Sequence, residues 1–351
     1  MFLEFRLSYG QNQKNIKEHK TMNADTRNKN YSPDVEYITE DNKDLKQRWD
    51  ECPKNGHHKE YVSIKTFQNN PWTNIADKYK ALVQLPEFLG CMTSLTGMIL
   101  VKQDDGTSTG SGFIHKIRRV SYGSCPCHIC LQNKEVKKKV YAILTVTTVL
   151  HNFDENWDVA LESGVFSENW EPKNTTVRLF YDSNDEAHEI FIYGYNLLET
   201  DKEINIHSDW CSVECVTHDM KLVQELETKL NKYMELQGEI YRKSKELSLN
   251  DLVIIVGHPH GGPKMISVGS PTKVEILKEV RNYQKWCRYE YDNITCHGNS
   301  GSQIFILGQP LCGFGYWFGH PHNHSKCFKV GSKEIKGGCS SVGVEHAVET
   351  D

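Results

Sequence analysis

From residue 94 onward the chain is built mainly of short apolar runs of strand type, separated by Gly, Asn, Asp and Pro. SLTGMILV (94–101), SGFIHKI (111–117) and VYAILTVTTVL (140–150) come first. TTVRLFY, EIFIYGY, DWCSVECV, DLVIIVG, MISVGS, RYEYD, SQIFIL and LCGFGYW follow. Many short strands with turn residues between them point to an all-β barrel or sandwich. One stretch breaks the pattern. Residues 218–249 hold no Pro, a single Gly and a dense run of Lys, Glu, Gln and Leu. Val223, Leu226, Leu230, Tyr233, Gln237 and Ile240 recur there at spacings of three and four. The spacing predicts one amphipathic helix, lying on the domain surface or bridging two β units, with a dimer contact as the alternative.

Ahead of the strands, residues 1–60 are rich in Asn, Lys, Asp and Glu without sustained periodicity. Such a segment buries too little apolar surface to offset its ordering entropy, so a flexible tail is expected. Residues 61–90 read as a lead-in helix: Ile75, Tyr79, Leu82, Val83 and Leu85 form a helical stripe, interrupted at Pro86. At 351 residues, two compact units or one with large insertions are expected, here β-rich blocks over 91–217 and 250–351 flanking the 218–249 helix.

Charge narrows the function classes. The 41 Lys+Arg against 46 Asp+Glu leave a net charge of -5, which argues against a main role on nucleic acid phosphates or an acidic membrane. No apolar run reaches the roughly 18 residues of a membrane helix. The start MFLEFRLSYGQNQKN carries Glu4 and no uninterrupted apolar stretch, so it does not read as a secretory signal. A cytoplasmic location with reduced thiols is the expectation for the 12 cysteines. Oligomeric state is left open.

The segment ITCHGNSGSQIFILGQPLCGFG (294–315) carries the chemistry. Gly298-Asn299-Ser300-Gly301 sets a serine in a glycine-flanked turn before an apolar strand. Acyl transfer needs such a hydroxyl beside converging backbone N–H groups, and glycine permits the backbone conformation they demand. As a tetrapeptide alone it is also an ordinary turn.

This loop resembles the nucleophile loop of the trypsin-like (chymotrypsin-fold) serine peptidases, as a divergent member. Thr109-Gly110-Ser111-Gly112-Phe113-Ile114 looks like an early strand of that fold, and Ala142–Leu150 is similar to the strand end that carries its histidine. Asp209-Trp210-Cys211-Ser212-Val213 is similar to the aspartate-led strand, and Val256-Gly257-His258-Pro259-His260-Gly261 to the turn opening the second barrel. The resemblance spans roughly residues 91–320. It implies two six-stranded β-barrels with a helical insertion, and peptide-bond hydrolysis with no required cofactor. Ser300 is then the nucleophile, Asp209 the orienting acid (Asp185 and Asp201 compete), and the N–H groups of Gly298 and Ser300 the oxyanion hole. Aligned without a gap, the histidine slot holds Thr148, which lacks basicity near neutral pH. His151 is the possible substitute base, but sliding it into the slot would overpack Val149 and Leu150. Impaired hydrolysis or a peptide- or protein-binding pseudopeptidase is therefore expected. Ile294, six residues before Ser300, would form the base of the substrate pocket with His297 at its rim. That favours an apolar or small side chain unless Asp292 or Glu290 reaches in.

Cys125, Cys127 and Cys130 with His128 supply soft ligands for a possible structural zinc in a basic insertion. Clustered reduced thiols or a labile disulfide are the alternatives, and a fourth ligand from elsewhere would be the more natural geometry. His320, His322, His324 and Cys327 read as a polar surface loop.

Overall fold

The computed structural model describes residues 32–33, 35–132, 140–153, 171–184, 189–198, 209–281, 284–309, 321–325, 328–330, 333–335, 337–341 and 343–346. The expected flexible tail lies outside the described residues up to position 31, and from Val35 onward it is corrected. β1 (Ser32–Pro33) and β2 (Glu36–Ile38) lead into α1 (Leu45–Glu51), capped by the Asp44 carboxylate on the Lys46 N–H, and into a 3-10 turn over Asn55–Glu60. Polar side chains fasten this segment. Arg48 is buried and donates to the His260 carbonyl, Lys54 Nζ donates to Thr295 O at 2.7 Å, and the Trp49 ring packs against His58 and His260. Composition undervalued the segment because these cations are satisfied by buried carbonyls rather than by water.

Next come β3 (Val62–Ser63), α2 (Ile64–Asn69), a 3-10 turn over Asp77–Ala81 and α3 (Leu85–Leu95). The single lead-in helix broken at Pro86 is replaced by these short pieces. Proline opens α3 instead of ending a helix, because the first helical turn needs no N–H from it.

β4 (Thr96–Lys102), β5 (Thr107–Val120), β6 (Tyr141–Thr148), β7 (Thr175–Leu179), β8 (Ile190–Leu198) and β9 (Cys211–Thr217) pair antiparallel in the order β5-β4-β7-β8-β9-β6. β5 also pairs with β6 over Phe113–Val120, which closes a six-stranded barrel, while the start of β5 (Thr107–Thr109) pairs with β2 instead. A short helix α4 (His128–Gln132) lies between β5 and β6.

α5 (Met220–Glu246) joins the two halves, with the Asp219 carboxylate accepting from the Lys221 and Leu222 N–H groups. Its apolar face is buried against the core. Tyr233 stacks on Phe88 of α3 at 4.8 Å and lies 5.0 Å from Phe113 of β5, and Phe88 touches Phe305 at 4.6 Å. Leu236, rather than the expected Gln237, is the buried residue at that turn.

β10 (Val253–Gly257), β11 (Met265–Gly269), β12 (Pro271–Arg281), β13 (Gln284–Tyr291), β14 (Gln303–Ile306), β15 (His322–Ser325), the hairpin of β16 (Phe328–Val330) with β17 (Lys333–Ile335), β18 (Gly338–Ser340) and β19 (Gly343–His346) fill the second half. Among the described residues these form three sheets: β14-β10-β11-β3, β1-β15-β18-β13-β12 with β19 on β13, and the two-stranded β16-β17. The first barrel is closed and the second half is sheet-built, an all-β architecture carrying one long inserted helix.

Phe88 is fully buried where α3, α5 and β14 meet. Phe88→Ala is expected to lower the unfolding free energy by about 3–5 kcal/mol in urea titrations.

Candidate active site

His151, Asp209 and Ser300 come together from three distant parts of the chain. β6 ends at Thr148, and a 3-10 turn over Leu150–Asn152 carries the chain on so that the His151 ring lies between the other two side chains. His151 Nδ1 is 2.5 Å from Asp209 Oδ2, and its backbone N–H donates to Asp209 Oδ1 at 3.1 Å. His151 Nε2 is 2.6 Å from Ser300 Oγ. Two bonds from one residue hold the carboxylate square to the ring. All three residues are buried, Ser300 at 0% exposed and His151 and Asp209 at 2% each. Asp185 and Asp201 lie outside the described residues.

The ungapped placement of Thr148 in the histidine slot is corrected by this geometry. Thr148 pairs with Cys211 inside the β6–β9 ladder, and its hydroxyl donates to Ser111 O at 2.7 Å and accepts from Asn152 Nδ2 at 2.9 Å. The feared overpacking does not arise. The extra turn lets Val149 and Leu150 enter the interior, at 0% and 3% exposed, instead of pressing beneath the site.

The serine loop is gripped from the first barrel. Ser300 O accepts from the Ser111 N–H at 2.7 Å and from Asn152 Nδ2 at 3.1 Å. Ser111 Oγ donates to Gly298 O at 2.8 Å and accepts from the His258 N–H at 2.9 Å. Gly301 N–H donates to His322 O at 2.7 Å, and Ser300 Oγ lies 3.2 Å from Asn323 O on β15. Gly298 and Gly301 have φ of +88° and +84°. A Cβ on Gly301 would stand 2.1 Å from Thr148 Oγ1 and 2.2 Å from Ser111 O, so both the dihedral and the space require glycine. Among the described residues, no acceptor takes the N–H of Gly298 or Ser300.

Ile294 is buried and His297 exposed, while the His297 carbonyl accepts from the His260 N–H at 2.6 Å. Of the neighbouring carboxylates, Asp292 is exposed with Oδ1 accepting from the Ser270 N–H, and Glu290 lies 3.7 Å from Lys273 Nζ. His322 is not on a surface loop. It is buried on β15 with its ring 2.5 Å from the Tyr291 hydroxyl, whereas residues 320 and 327 lie outside the described residues.

The cysteine cluster of the insertion takes a different fourth member than expected. Cys125, Cys127 and Cys130 Sγ surround His218 Nε2 at 3.4, 3.6 and 3.4 Å. His218 stands at the far end of β9 from Asp209, and its Nδ1 faces Val140 O at 3.3 Å. His128 is not a member. Its ring packs edge-on against Tyr193. Burial pushes the Cys125 thiol up to about 12, while for Cys127 the His218 ring and neighbouring thiols outweigh burial and bring it to about 7. A second group was not foreseen: Cys52, His58, His260 and Cys296 hold their ligand-type atoms within 4.8 Å of one another. Nothing in their sequence spacing signals it, because the four come from three separated segments.

No family model matches the chain, and no curated protein matches it. Among solved structures it is similar to a thermostable serine protease from an extremophilic microorganism, at 10% identity over 72% of this chain and 92% of that one, TM-score 0.34. It is similar also to the Rv3671c protease of M. tuberculosis in its active form (12%, 73% and 78%, TM-score 0.34) and to the HtrA-type protease AlgW with a tripeptide (11%, 75% and 59%, TM-score 0.34). The all-β class that the sequence led us to expect stands on the strands themselves, with one closed barrel among the described residues.

Gly301→Ala is expected to destabilise the chain by at least about 1–3 kcal/mol from its backbone dihedral alone. Gly90→Ala, inside α3 with nothing within 4 Å of the new Cβ, should instead stabilise by up to about 1 kcal/mol. Urea midpoints of the two variants check the contrast.

Proposed function

We propose that the chain is a serine endopeptidase working through an acyl-enzyme. The observation carrying this reading is the buried imidazole of His151, bonded on one side to Asp209 and on the other to Ser300 Oγ. With Nδ1–H donated to the carboxylate, Nε2 keeps its lone pair and can accept the serine proton. Ser300 Oγ then bonds to the carbonyl carbon of a peptide as its proton passes to Nε2. The carbonyl electron pair moves onto oxygen, where the N–H groups of Gly298 and Ser300 receive it. Collapse of that intermediate expels the amine, which takes the proton from His151. A water molecule repeats the two steps and frees the acid.

The expectation of impaired turnover rests on Thr148 as base, and an imidazole against Ser300 removes that ground. In a comparable triad, losing the histidine or the serine lowers turnover by about 10⁶-fold, roughly 8 kcal/mol of transition-state stabilisation. Peptides or proteins are the substrate class. The buried Ile294 supports a small or apolar side chain in the primary pocket.

For the cysteine cluster we propose a structural zinc ion held by Cys125, Cys127, Cys130 and His218, with His128 outside the set. Zn–S bonds of about 2.3 Å and a Zn–N bond of about 2.0 Å make the S···N edge of a tetrahedron about 3.5 Å. The three distances of 3.4–3.6 Å match that edge, and His218 Nδ1 beside Val140 O fixes the tautomer that offers Nε2 to a metal.

Two measurements test these readings. A fluorophosphonate should label Ser300 in the folded chain, with labelling abolished in Ser300→Ala and His151→Ala. A folded, unlabelled chain that still binds peptide after Ser300→Ala would instead make it a binding module. Elemental analysis of purified chain should find zinc, and Cys127→Ser should lower the content by one equivalent while His128→Ala leaves it unchanged. Equal zinc in the parent and Cys127→Ser overturns the assignment.

A further inference from the structure

We propose that Cys52, His58, His260 and Cys296 form a second zinc site, which ties the leading segment of the chain to the loop that presents Ser300. The donor set is two thiols and two imidazoles, the composition of a closed structural site. Its edges have tetrahedral lengths: Cys52 Sγ and Cys296 Sγ are 3.8 Å apart, and His58 Nε2 is 3.3 Å from Cys296 Sγ. With Zn–S of about 2.3 Å and Zn–N of about 2.0 Å, those separations should be about 3.8 Å and about 3.5 Å.

The third corner is oriented from behind. His260 Nδ1 lies 2.9 Å from Glu36 Oε2, so the proton sits on Nδ1 and Nε2 presents its lone pair. That Nε2 atom is buried with no full hydrogen bond among the described residues, only the Cys52 thiol of the same group beside it, and a metal ion at the centre would satisfy both. His260 itself sits at φ of +57°, held by its N–H on His297 O and by Arg48 on its own carbonyl. The four ligands come from the turn after α1, the 258–261 turn and the stretch just before Gly298, three parts that the sheet β14-β10-β11-β3 joins only through the strands beside them. Cys296 lies four residues ahead of Ser300, so the metal would act as a staple on that loop.

The full chain is tested with zinc and with cobalt(II) as a spectroscopic probe. Two equivalents of zinc are expected in the parent, and one after Cys52→Ser or His260→Ala. Cobalt exchanged into Cys127→Ser, which spares this second site, should give the tetrahedral sulfur-to-cobalt bands of a two-thiolate centre. Should the substituted chains fail to fold, alkylation of the parent decides: Cys52 and Cys296 should be protected until a chelator is added. A parent with one equivalent that Cys127→Ser removes, or a Cys52–Cys296 disulfide in unreduced peptide maps, overturns the proposal.

A second inference rests on a different observation, the pairing of the run 32–38. β1 adds antiparallel to β15, with Pro33 opposite His324, the neighbour of the Asn323 whose carbonyl faces Ser300 Oγ. Shortly afterwards β2 adds to the start of β5, with Glu36 opposite Thr109, two residues before the Ser111 that holds Ser300 O. Two short strands close together in sequence are thus bonded to strand edges on both sides of a serine that has no exposed surface. Strand addition to an open edge is a general way for a sheet to take a peptide. We infer that Ser32–Pro33 and Glu36–Ile38 occupy the peptide groove in cis, an inference that rests on the hydrolase reading only for calling the groove a substrate groove.

The test uses the full chain carrying a foreign protease site between residues 39 and 40, and a fluorescent peptide of residues 28–38. Peptide binding should be absent before the cut and appear after the released fragment has separated on a sizing column. A fragment that stays bound until excess peptide displaces it supports the inference equally. Equal binding before and after, or none after separation, overturns the inference. Fluorophosphonate labelling of the same samples reports on the hydrolase reading separately, because peptide binding needs no chemistry at Ser300.

Discussion

The whole arrangement depends on how one loop of the second half is fixed to the first barrel. His151 and Asp209 belong to the barrel, on either side of the paired ends of β6 and β9, while Ser300 arrives from the other half of the chain. Ser111 makes the join. Its N–H holds the Ser300 carbonyl, its hydroxyl donates to Gly298 O, and the same oxygen accepts the His258 N–H. Asn152, next to His151, adds a second donor to the Ser300 carbonyl. A fully buried polar network of this kind is rigid because each broken bond would leave an unsatisfied group away from water. Position, rather than any unusual side chain, makes an ordinary hydroxyl into a candidate nucleophile.

Burial also sets the electrostatics. An imidazole and a carboxylate removed from water interact more strongly than they would at the surface, and the desolvation each suffers is offset only while both bonds to His151 persist. The glycines at 298 and 301 serve this demand for close approach, since either Cβ would run into backbone atoms of a neighbouring segment. The two thiol–imidazole groups take no part in the His151 contacts but share their logic. Each gathers residues from distant segments, and each has one ring held by an outer oxygen, Glu36 for His260 and Val140 O for His218.

Much of the architecture was legible in the residues. Turn-bounded apolar runs marked the strands, and the three-four spacing from Val223 to Ile240 marked α5. G-N-S-G marked the serine loop, and Asp209 was legible from its place before an apolar strand. The base was harder, because an ungapped alignment assumes that the strand leads straight into the site. Here a 3-10 turn lengthens the route by three residues and turns Leu150 into the core. Backbone geometry of that kind leaves little trace in side-chain pattern. The leading segment was misjudged for a related reason: Arg48 and Lys54 count as solvent-seeking in composition, yet each ends on a buried carbonyl. His218 and the Cys52 group were invisible because their members are far apart in sequence and only folding brings them together.

In this arrangement His151 Nδ1 lies against the Asp209 carboxylate while Nε2 faces Ser300, and proton magnetic resonance of the nitrogen-bound hydrogens is its sharpest test. A far-downfield signal is expected that disappears in Asp209→Asn and in His151→Gln and persists in Thr148→Val. A parent spectrum without such a signal, or one whose signal survives His151→Gln, would contradict the arrangement.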